Sequence, residues 1–181
     1  MTTTSADPIG QKMSSLFEAT DTNHDGYIEW ADYQLLIDRY ISGYRMDRND
    51  RRAQALTVAY MMLWQELLRH GNGEHRLDKG QFVNAIRAAS IDTSRFNMVE
   101  AMPHAVFDII DADGVNTISK DEFAQLLKVL DFATPDAMDR FMILDTDGDG
   151  QVSRQEFIRS VREFLYSGDL SAPGGVIFGI A

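Results

Sequence analysis

Residues 145–156 of this chain place oxygen-bearing residues at fixed intervals around a central glycine. The residues at positions one, three, five, seven and twelve are Asp145, Asp147, Asp149, Gln151 and Glu156. Three carboxylates, the backbone carbonyl of Gln151 and a bidentate closing carboxylate supply most of the roughly 6–8 oxygens that Ca²⁺ takes in proteins. Gly150 at position six allows the sharp turn that converges them, and Ser153 can hold or orient a water. The spacing therefore predicts a calcium site.

The same spacing occurs at residues 21–32. Its coordinating positions carry Asp21, Asn23, Asp25, the backbone carbonyl of Tyr27, and Asp32. Gly26 provides the turn, but the closing residue is an aspartate, whose shorter side chain contributes one oxygen or contracts the loop. A smaller cage with fewer protein oxygens suits Mg²⁺ better than the full one does. We expect Ca²⁺ to bind here with Mg²⁺ in competition; the alternative is that Asp32 is a surface acid of the following helix.

A third copy, at residues 111–122, departs from the pattern at two positions. Its oxygen-bearing positions are Asp111, Asp113, Thr117, Ser119 and Glu122. Val115 at position five offers no side-chain oxygen, so water must replace it, and Asn116 replaces the turn glycine. Asparagine tolerates the left-handed conformation of this turn better than other non-glycine residues do. We expect calcium to bind with lowered affinity; the alternative is a folded loop that holds no metal.

A fourth copy, at residues 70–81, keeps the apolar positions and loses most of the acids. Positions one, six and twelve are His70, His75 and Gln81. The oxygen-bearing side chains that remain are Asn72, Glu74 and Asp78. They are too few to hold calcium against its hydration, and a transition-metal site would need further imidazole or thiolate ligands beside the two histidines. This stretch is expected to be a structural loop that supports its partner.

Apolar residues recur at helical spacing before and after each loop, so each loop should join two helices. Four such units must pack in pairs to bury their apolar faces. Position eight of each loop is apolar and is expected to form a β-bridge with the partner loop, so that Ile28 lies opposite Leu77 and Ile118 opposite Val152. The predicted fold class is all-α, with four helix-loop-helix units in two pairs forming one compact globule. Pro103 should start or kink the third entering helix.

The predicted boundaries divide the chain into residues 8–91, residues 95–168 and a tail at 169–181. Helical periodicity lapses after Ile91, where a polar run follows. Thr134 and Pro135 have the types expected of an N-cap and a first helical residue. The tail follows the last helix, which should end near Tyr166.

Composition limits the classes of function. The chain has 181 residues, 44% of them hydrophobic, and a net charge of -11. That charge disfavours nucleic acid and anionic membranes as partners, and three bound divalent cations would reduce it to about −5 (−11 + 3 × 2). The absence of Cys excludes thiol chemistry and favours a cytoplasmic location. Since neither a membrane-length apolar run nor a signal-peptide pattern is present, a soluble protein is expected. The expected oligomeric state is a monomer.

The four-repeat layout resembles the sarcoplasmic calcium-binding proteins and calerythrin, which are EF-hand proteins. Three features carry the resemblance. They are the closing aspartate of the loop at residues 21–32, the acid-poor loop at residues 70–81, and the ending Tyr-Ser-Gly-Asp-Leu-Ser-Ala-Pro-Gly-Gly-Val-Ile-Phe-Gly at 166–179. The resemblance implies a compact cytosolic calcium buffer that binds metal in the loops at residues 21–32, 111–122 and 145–156. The third loop departs from that pattern at Val115 and Asn116.

Two other functions are compatible with this layout. A sensor would open on binding calcium and expose a Met-rich groove to a target protein. The chain has 9 Met, of which Met61, Met62, Met98, Met102, Met138 and Met142 are expected to pack in the core. The tail residues Val176, Ile177 and Phe178 are expected to fold back into that groove.

The second alternative is a ligand carrier. The layout is shared with coelenterate photoproteins and luciferin-binding proteins, and Trp30, Trp64, His70 and His104 are the residues that would line such a cavity. Their spacing does not require it. Outside the four loops the sequence has no nucleophile, phosphate loop or carboxylate pair that indicates catalysis, so an enzyme is not expected.

Overall fold

The computed structural model describes residues 7–91, 96–131, 137–178 and 180. Within these residues the helices are α1 (Pro8–Thr20), α2 (Trp30–Gly43), α3 (Arg51–Gly71), α4 (Lys79–Ile91), α5 (Phe96–Ile110), α6 (Lys120–Val129), α7 (Ala137–Leu144) and α8 (Arg154–Tyr166). The strands are β1 (Tyr27–Glu29), β2 (Arg76–Asp78), β3 (Thr117–Ile118) and β4 (Val152–Ser153), and a 3₁₀-helix follows at Pro173–Phe178. The predicted all-α class with short bridges is confirmed.

The strands join the loops in two antiparallel pairs. Ile28 lies opposite Leu77 in β1 and β2, and Ile118 lies opposite Val152 in β3 and β4. All four of these side chains are fully buried. The predicted register is therefore confirmed, and each bridge fixes two loops side by side.

Local sequence explains where the helices begin. Asp7 accepts a hydrogen bond from the amide of Gly10 at 3.0 Å and caps α1, with Pro8 in the first helical position. Asp50 caps α3 through the amide of Arg52 at 2.8 Å. The exit helices α6 and α8 begin with Ser-x-x-Glu capping boxes at residues 119–122 and 153–156, which the loop sequences already contain.

Aromatic contacts join the helices of each pair. The ring centroids of Phe17 in α1 and Phe82 in α4 lie 5.7 Å apart, and Phe107 in α5 and Phe157 in α8 lie 5.5 Å apart. Both pairs meet edge to face, the geometry that the charge distribution of aromatic rings favours. The entering helix of the first loop in each pair thus packs against the exit helix of the second.

One continuous apolar core contains residues from both pairs. Helix α3 packs against α5, and the end of α2 packs against α6. At that second junction the Gln125 amide donates to the Gly43 carbonyl at 3.1 Å, and a Cβ on Gly43 would overlap the Val129 side chain. The two pairs of helix-loop-helix units therefore meet through closely packed helices.

Pro103 lies inside α5, which begins at Phe96, so it does not start that helix. Residues 92–95, Thr134 and Pro135 lie outside the described residues, and the domain boundaries stay a prediction. Among the described helices, none is both long and apolar enough to cross a membrane.

Candidate functional site

Residues 21–32, 70–81, 111–122 and 145–156 are called loops one to four. Loops one, three and four share positive φ angles at positions four and six. These are 58° and 84° at His24 and Gly26, 72° and 67° at Gly114 and Asn116, and 73° and 86° at Gly148 and Gly150. The prediction that Asn116 adopts the left-handed turn in place of glycine is therefore confirmed.

Loop four gathers three carboxylates. Asp145, Asp147 and Asp149 each offer an oxygen within 4.8 Å of the others. Backbone amides orient the first of them: Asp145 accepts from Gly148 at 2.9 Å and from Gly150 at 2.8 Å. A hydrogen bond from the Asp149 amide lowers the pKa of Asp147, but desolvation and the charges of Asp149 and Glu156 outweigh it and raise that pKa. A divalent cation would relieve this repulsion.

Glu156 closes loop four from the first turn of α8. One of its carboxylate oxygens accepts from the amide and hydroxyl of Thr146, both at 2.9 Å, and the other from the amide and hydroxyl of Ser153, both at 2.8 Å. Burial raises the pKa of Glu156, but these hydrogen bonds outweigh it and lower the pKa to about 2. The carboxylate is therefore ionised at neutral pH, as a calcium ligand must be.

Loop three gathers a second trio. Asp111, Asp113 and Glu122 offer oxygens within 4.8 Å of one another. Asp111 is buried; its Oδ2 accepts from the Asn116 amide at 3.0 Å, whereas its Oδ1 is buried and has no hydrogen-bond partner among the described residues. Burial raises the pKa of Asp111, and the neighbouring Glu122 and Asp113 raise it further. A buried carboxylate oxygen beside two further acids fits a hard cation.

Glu122 is held as Glu156 is. Its Oε1 accepts from the Ala112 amide and its Oε2 from the Ser119 amide, both at 2.9 Å. Val115 at position five is 62% exposed and brings no side-chain oxygen, as the sequence requires. Thr117 donates through its hydroxyl to the Gln151 side chain at 3.1 Å, so the two residues at position seven contact each other across the bridge.

Loop one is organised around Asp32. This buried side chain accepts from the amide and hydroxyl of Thr22 at 3.2 and 2.8 Å, and from the Glu29 amide at 2.8 Å. It therefore reaches back to position two as Glu156 does, which a surface acid of the helix would not do.

The other acids of loop one are held by its own turn. Asp21 accepts from the Gly26 amide at 3.0 Å, and Asp25 from the Tyr27 amide at 2.9 Å. Asn23 donates to Asp25 at 3.1 Å. Among the described residues, no trio of acids as close as those of loops three and four is found in loop one. The ligand assignments in all three loops stay predictions.

Loop two has a different backbone. Helix α3 continues to Gly71, through the first two loop positions, and ends at Asn72, which has a φ of 54°. Asp78 and Gln81 form an equivalent capping box, in which each backbone amide donates to the other side chain, at 3.0 and 2.8 Å. His70 lies 3.6 Å from the Glu66 carboxylate of its own helix. The loop thus keeps the bridge and the box that its partner needs.

Three residues whose hydrogen bonds hold loop residues in place were not identified from the sequence. Thr22 and Thr146, both at position two, donate hydroxyl hydrogen bonds to the closing carboxylates of their loops. Arg154 donates to Asn116 across the pair of loops at 2.8 Å. The recurrence of threonine at position two of two loops was a usable signal, whereas the arginine contact depends on the pairing of the loops.

Comparison with known families agrees with this geometry. A family model described as an EF-hand domain pair matches residues 99–162, and one described as an EF hand matches residues 13–37. Calerythrin of Saccharopolyspora erythraea is 24% identical over 86% of this chain and 90% of its own length. The luciferin-binding protein of Renilla reniformis is 24% identical over 93% and 92%. Polcalcin Aln g 4 of Alnus glutinosa is 41% identical over 35% of this chain and 75% of its own length.

Solved structures share the fold. A Streptomyces coelicolor calcium-binding protein, described in connection with prokaryotic calcium-mediated regulation, has a TM-score of 0.71 at 24% identity, covering 87% of this chain and 97% of its own. A sarcoplasmic calcium-binding protein from amphioxus also has a TM-score of 0.71, at 16% identity, covering 97% and 98%. The chain therefore contains EF-hand domains and is a calcium-binding protein, similar at modest identity to calerythrin and, in its fold, to a sarcoplasmic calcium-binding protein.

Proposed function

We propose that this protein is a cytoplasmic calcium buffer or store. It binds three Ca²⁺, in loops one, three and four, with Mg²⁺ competing most strongly at the Asp-closed loop one. The observation that carries the buffer role is the packing of the C-terminal segment into the centre of the molecule. A sensor must expose an apolar groove to a target, whereas a buffer barely opens.

The C-terminal 3₁₀-helix lies against α8. The ring of Phe178 lies 5.5 Å from that of Phe164, and Phe178 also lines a central cavity together with Leu16 of α1. Gly174 packs so closely on α8 that a Cβ there would overlap the Ser160 carbonyl. The side chains of Val176 and Ile177 lie outside the described part of the chain. These contacts support a segment of the chain itself as the occupant of the apolar groove.

Displacing the C-terminal segment from α8 tests the buffer role. Truncation before Ser171 and the full-length variant Gly174→Ala should both raise the binding of a hydrophobic fluorescent dye to the calcium-loaded protein, because each removes the segment from α8. Gly168→Ala is the matched control, since a Cβ there meets only Pro8, at 4.0 Å. Unchanged dye fluorescence in both test variants would contradict the proposal.

Calorimetry tests the number of sites and the competition. Titration of Ca²⁺ into metal-stripped protein should give three binding events, with the tightest in the buffer range of about 10⁻⁹–10⁻⁸ M. Millimolar Mg²⁺ should weaken one of them more than the other two. Fewer than three events, or equal weakening of all of them, would contradict the assignment.

A sensor role is the second candidate, and exposed methionines favour it. Met102 is buried as expected, but the expected burial is wrong for Met61, Met138 and Met142, which are 45%, 37% and 61% exposed. With Ile143, which is 57% exposed, two of these methionines form an apolar surface on the short helix α7. Strong dye binding by the full-length, calcium-loaded protein would favour the sensor role over the buffer.

A ligand carrier has less support. The central cavity is about 140 Å³, below the roughly 300–1,000 Å³ of pockets that hold drug-sized molecules. Among the described residues its lining includes Tyr60 and Met102 but not Trp30, Trp64, His70 or His104, the residues expected to line a ligand site. We also propose that the protein acts without catalysis, as a monomer that binds neither nucleic acid nor membranes.

A further inference from the structure

Arg154 is the first residue of α8 and occupies position ten of loop four, yet its side chain lies on the other loop of its pair. Its Nε donates to Oδ1 of Asn116 at 2.8 Å, and its Nη2 lies 2.6 Å from Oδ1 of Asp108. The guanidinium carbon lies 4.2 Å from the centre of the Phe107 ring. A residue of loop four therefore contacts both the turn and the entering helix of loop three.

We propose that Arg154 is a positioning residue that makes the calcium affinity of loop three depend on loop four. Asn116 occupies the left-handed turn, where asparagine is less favourable than glycine, so a hydrogen bond that holds its side chain favours the required conformation. The Asn116 amide donates to Oδ2 of Asp111 at 3.0 Å. The hold on Asn116 thus extends to the first carboxylate of the site.

Comparison with the first EF-hand pair shows which of the Arg154 contacts is common to both pairs. Lys79, at position ten of loop two, forms an ion pair with Glu18 of α1 at 2.7 Å. Arg154 and Asp108 occupy the equivalent positions of the second pair. An ion pair from position ten to the partner's entering helix is therefore common to both pairs and does not distinguish loop three.

The hydrogen bond to Asn116 is the additional contact. Position ten of loop three is Lys120, whose ammonium lies 6.0 Å from the Phe141 ring of α7, much as Arg154 lies over Phe107. Position six of its partner loop is Gly150, which has no side chain to accept a hydrogen bond. The extra contact thus goes to a loop whose turn glycine is replaced.

The two loops are linked through the first turn of α8. Arg154 and Glu156 both lie in that turn, so a ligand that fixes Glu156 also fixes the base of the Arg154 side chain. Calcium in loop four should then favour the binding-competent turn of loop three. By linkage, calcium in loop three should raise the calcium affinity of loop four by the same factor. This inference rests on the proposed function in one respect, that loop three binds calcium.

Site-resolved titration tests the coupling. Ca²⁺ is added to metal-stripped protein and followed by NMR at the backbone amides of Gly114 and Gly148, which report loops three and four separately. Arg154→Met keeps an apolar chain over Phe107 and should lower the affinity of loop three about tenfold, as expected for a lost hydrogen bond to a charged group. The matched control Lys120→Met should change it less than about twofold.

Arg154→Lys keeps the charge beside Asp108 but lacks the planar fork, so it should show most of the same loss. Asn116→Gly separates the hydrogen bond from the ion pair. Because glycine needs no support in this turn, adding Arg154→Met to Asn116→Gly should change the affinity of loop three less than about twofold. A tenfold loss in that background would overturn the proposal, since the ion pair would then carry the effect.

Amide hydrogen exchange in the metal-stripped protein tests the hold on Asn116 without calcium. Arg154→Met should speed exchange at Asn116 and leave Gly150 unchanged, whereas equal exchange in wild type and variant would overturn the proposal. Faster exchange in the variant, with no calcium response at Gly114 in wild type, would support the hold on Asn116 and contradict the proposed number of sites instead.

Discussion

Backbone amides hold the acidic side chains of loops three and four in position. Asp145 accepts from the amides of Gly148, Asp149 and Gly150, and Glu156 accepts from amides on both sides of its loop. Burial raises the pKa of Glu156, but this network lowers it to about 2. The closing carboxylate of loop four is therefore ionised near neutral pH.

Glu156→Gln should remove calcium binding from loop four while the helix start survives. A glutamine can keep the hydrogen bond from the Ser153 amide, as Gln81 keeps the equivalent bond in loop two. The lost charge and bidentate contact should lower the affinity of loop four by more than the roughly 10–100-fold that loss of a supporting partner costs. Calorimetry should then count one site fewer.

Asp139→Asn, which removes an exposed acid of α7, is the control for net charge and should leave the count unchanged. An unchanged count in Glu156→Gln would mean that the closing ligand is assigned wrongly.

At the level of residues, spacing predicted the acids that converge in loops three and four. The closeness of Asp111, Asp113 and Glu122 follows from a pattern within twelve consecutive residues. Arg154 could not be found in that way, because its contact with Asn116 joins residues from different loops. The exposure of Met142 was also missed, because helical spacing indicates which residues share a face but not which helix covers it.

Loop two contributes to the first EF-hand pair through its strand. Leu77 is fully buried opposite Ile28, and Cβ atoms on Gly71 or Gly73 would lie 2.6 Å from its side chain. The turn of loop two therefore wraps around Leu77. A loop that has lost its acids still fixes the backbone of loop one.

Leu77→Ala should weaken calcium binding at loop one although Leu77 is not a ligand. The cavity should lower the free energy of unfolding by about 2–5 kcal/mol, and loss of the bridge should weaken loop one more than loops three and four. Denaturant unfolding and calorimetry measure the two effects. Leu56→Ala, at another fully buried leucine of the first pair, is the matched control.

The control should lose similar stability and keep the affinity of loop one. Equal weakening of loop one in both variants would show that general loosening, and not the bridge, is responsible.

At the level of elements, periodicity predicted the helices and the bridge register. The continuation of α3 to Gly71 was not predicted, because the loop template places position one outside the helix. Without acids at positions one and twelve, a cation no longer specifies the loop conformation. The helix can then extend until Asn72 ends it in the left-handed region.

Lys12 connects the first helix, α1, with the end of the last helix, α8. It lies in α1 but is only 3% exposed, and its ammonium donates to the carbonyls of Glu163 and Ser167 at the end of α8. Cations are favourable at helix C-termini. Burial lowers the pKa of Lys12, and the charge of Asp169 in the tail opposes that shift. The first helix, the last helix and the tail therefore meet at one buried charge.

Lys12→Met should change how stability depends on pH. Between the lowered pKa of Lys12 and its ordinary value of 10.5, the unfolded chain binds the proton more strongly than the folded protein does. The free energy of unfolding of the wild type should therefore rise with pH in that range, relative to the variant. Denaturant unfolding from neutral pH upward measures the difference.

Lys128→Met removes an exposed lysine of α6 and is the control. A wild-type advantage over Lys12→Met that does not change with pH would contradict this account of the buried charge.

The junction at Gly43 affects how the protein unfolds on heating. The end of α2 touches α6 with no space for a side chain, and one apolar core continues through both pairs. Heating should therefore unfold both pairs together. The molecule should lose its structure in a single transition. All of the bound calcium would then be released at one temperature, and not one ion after another.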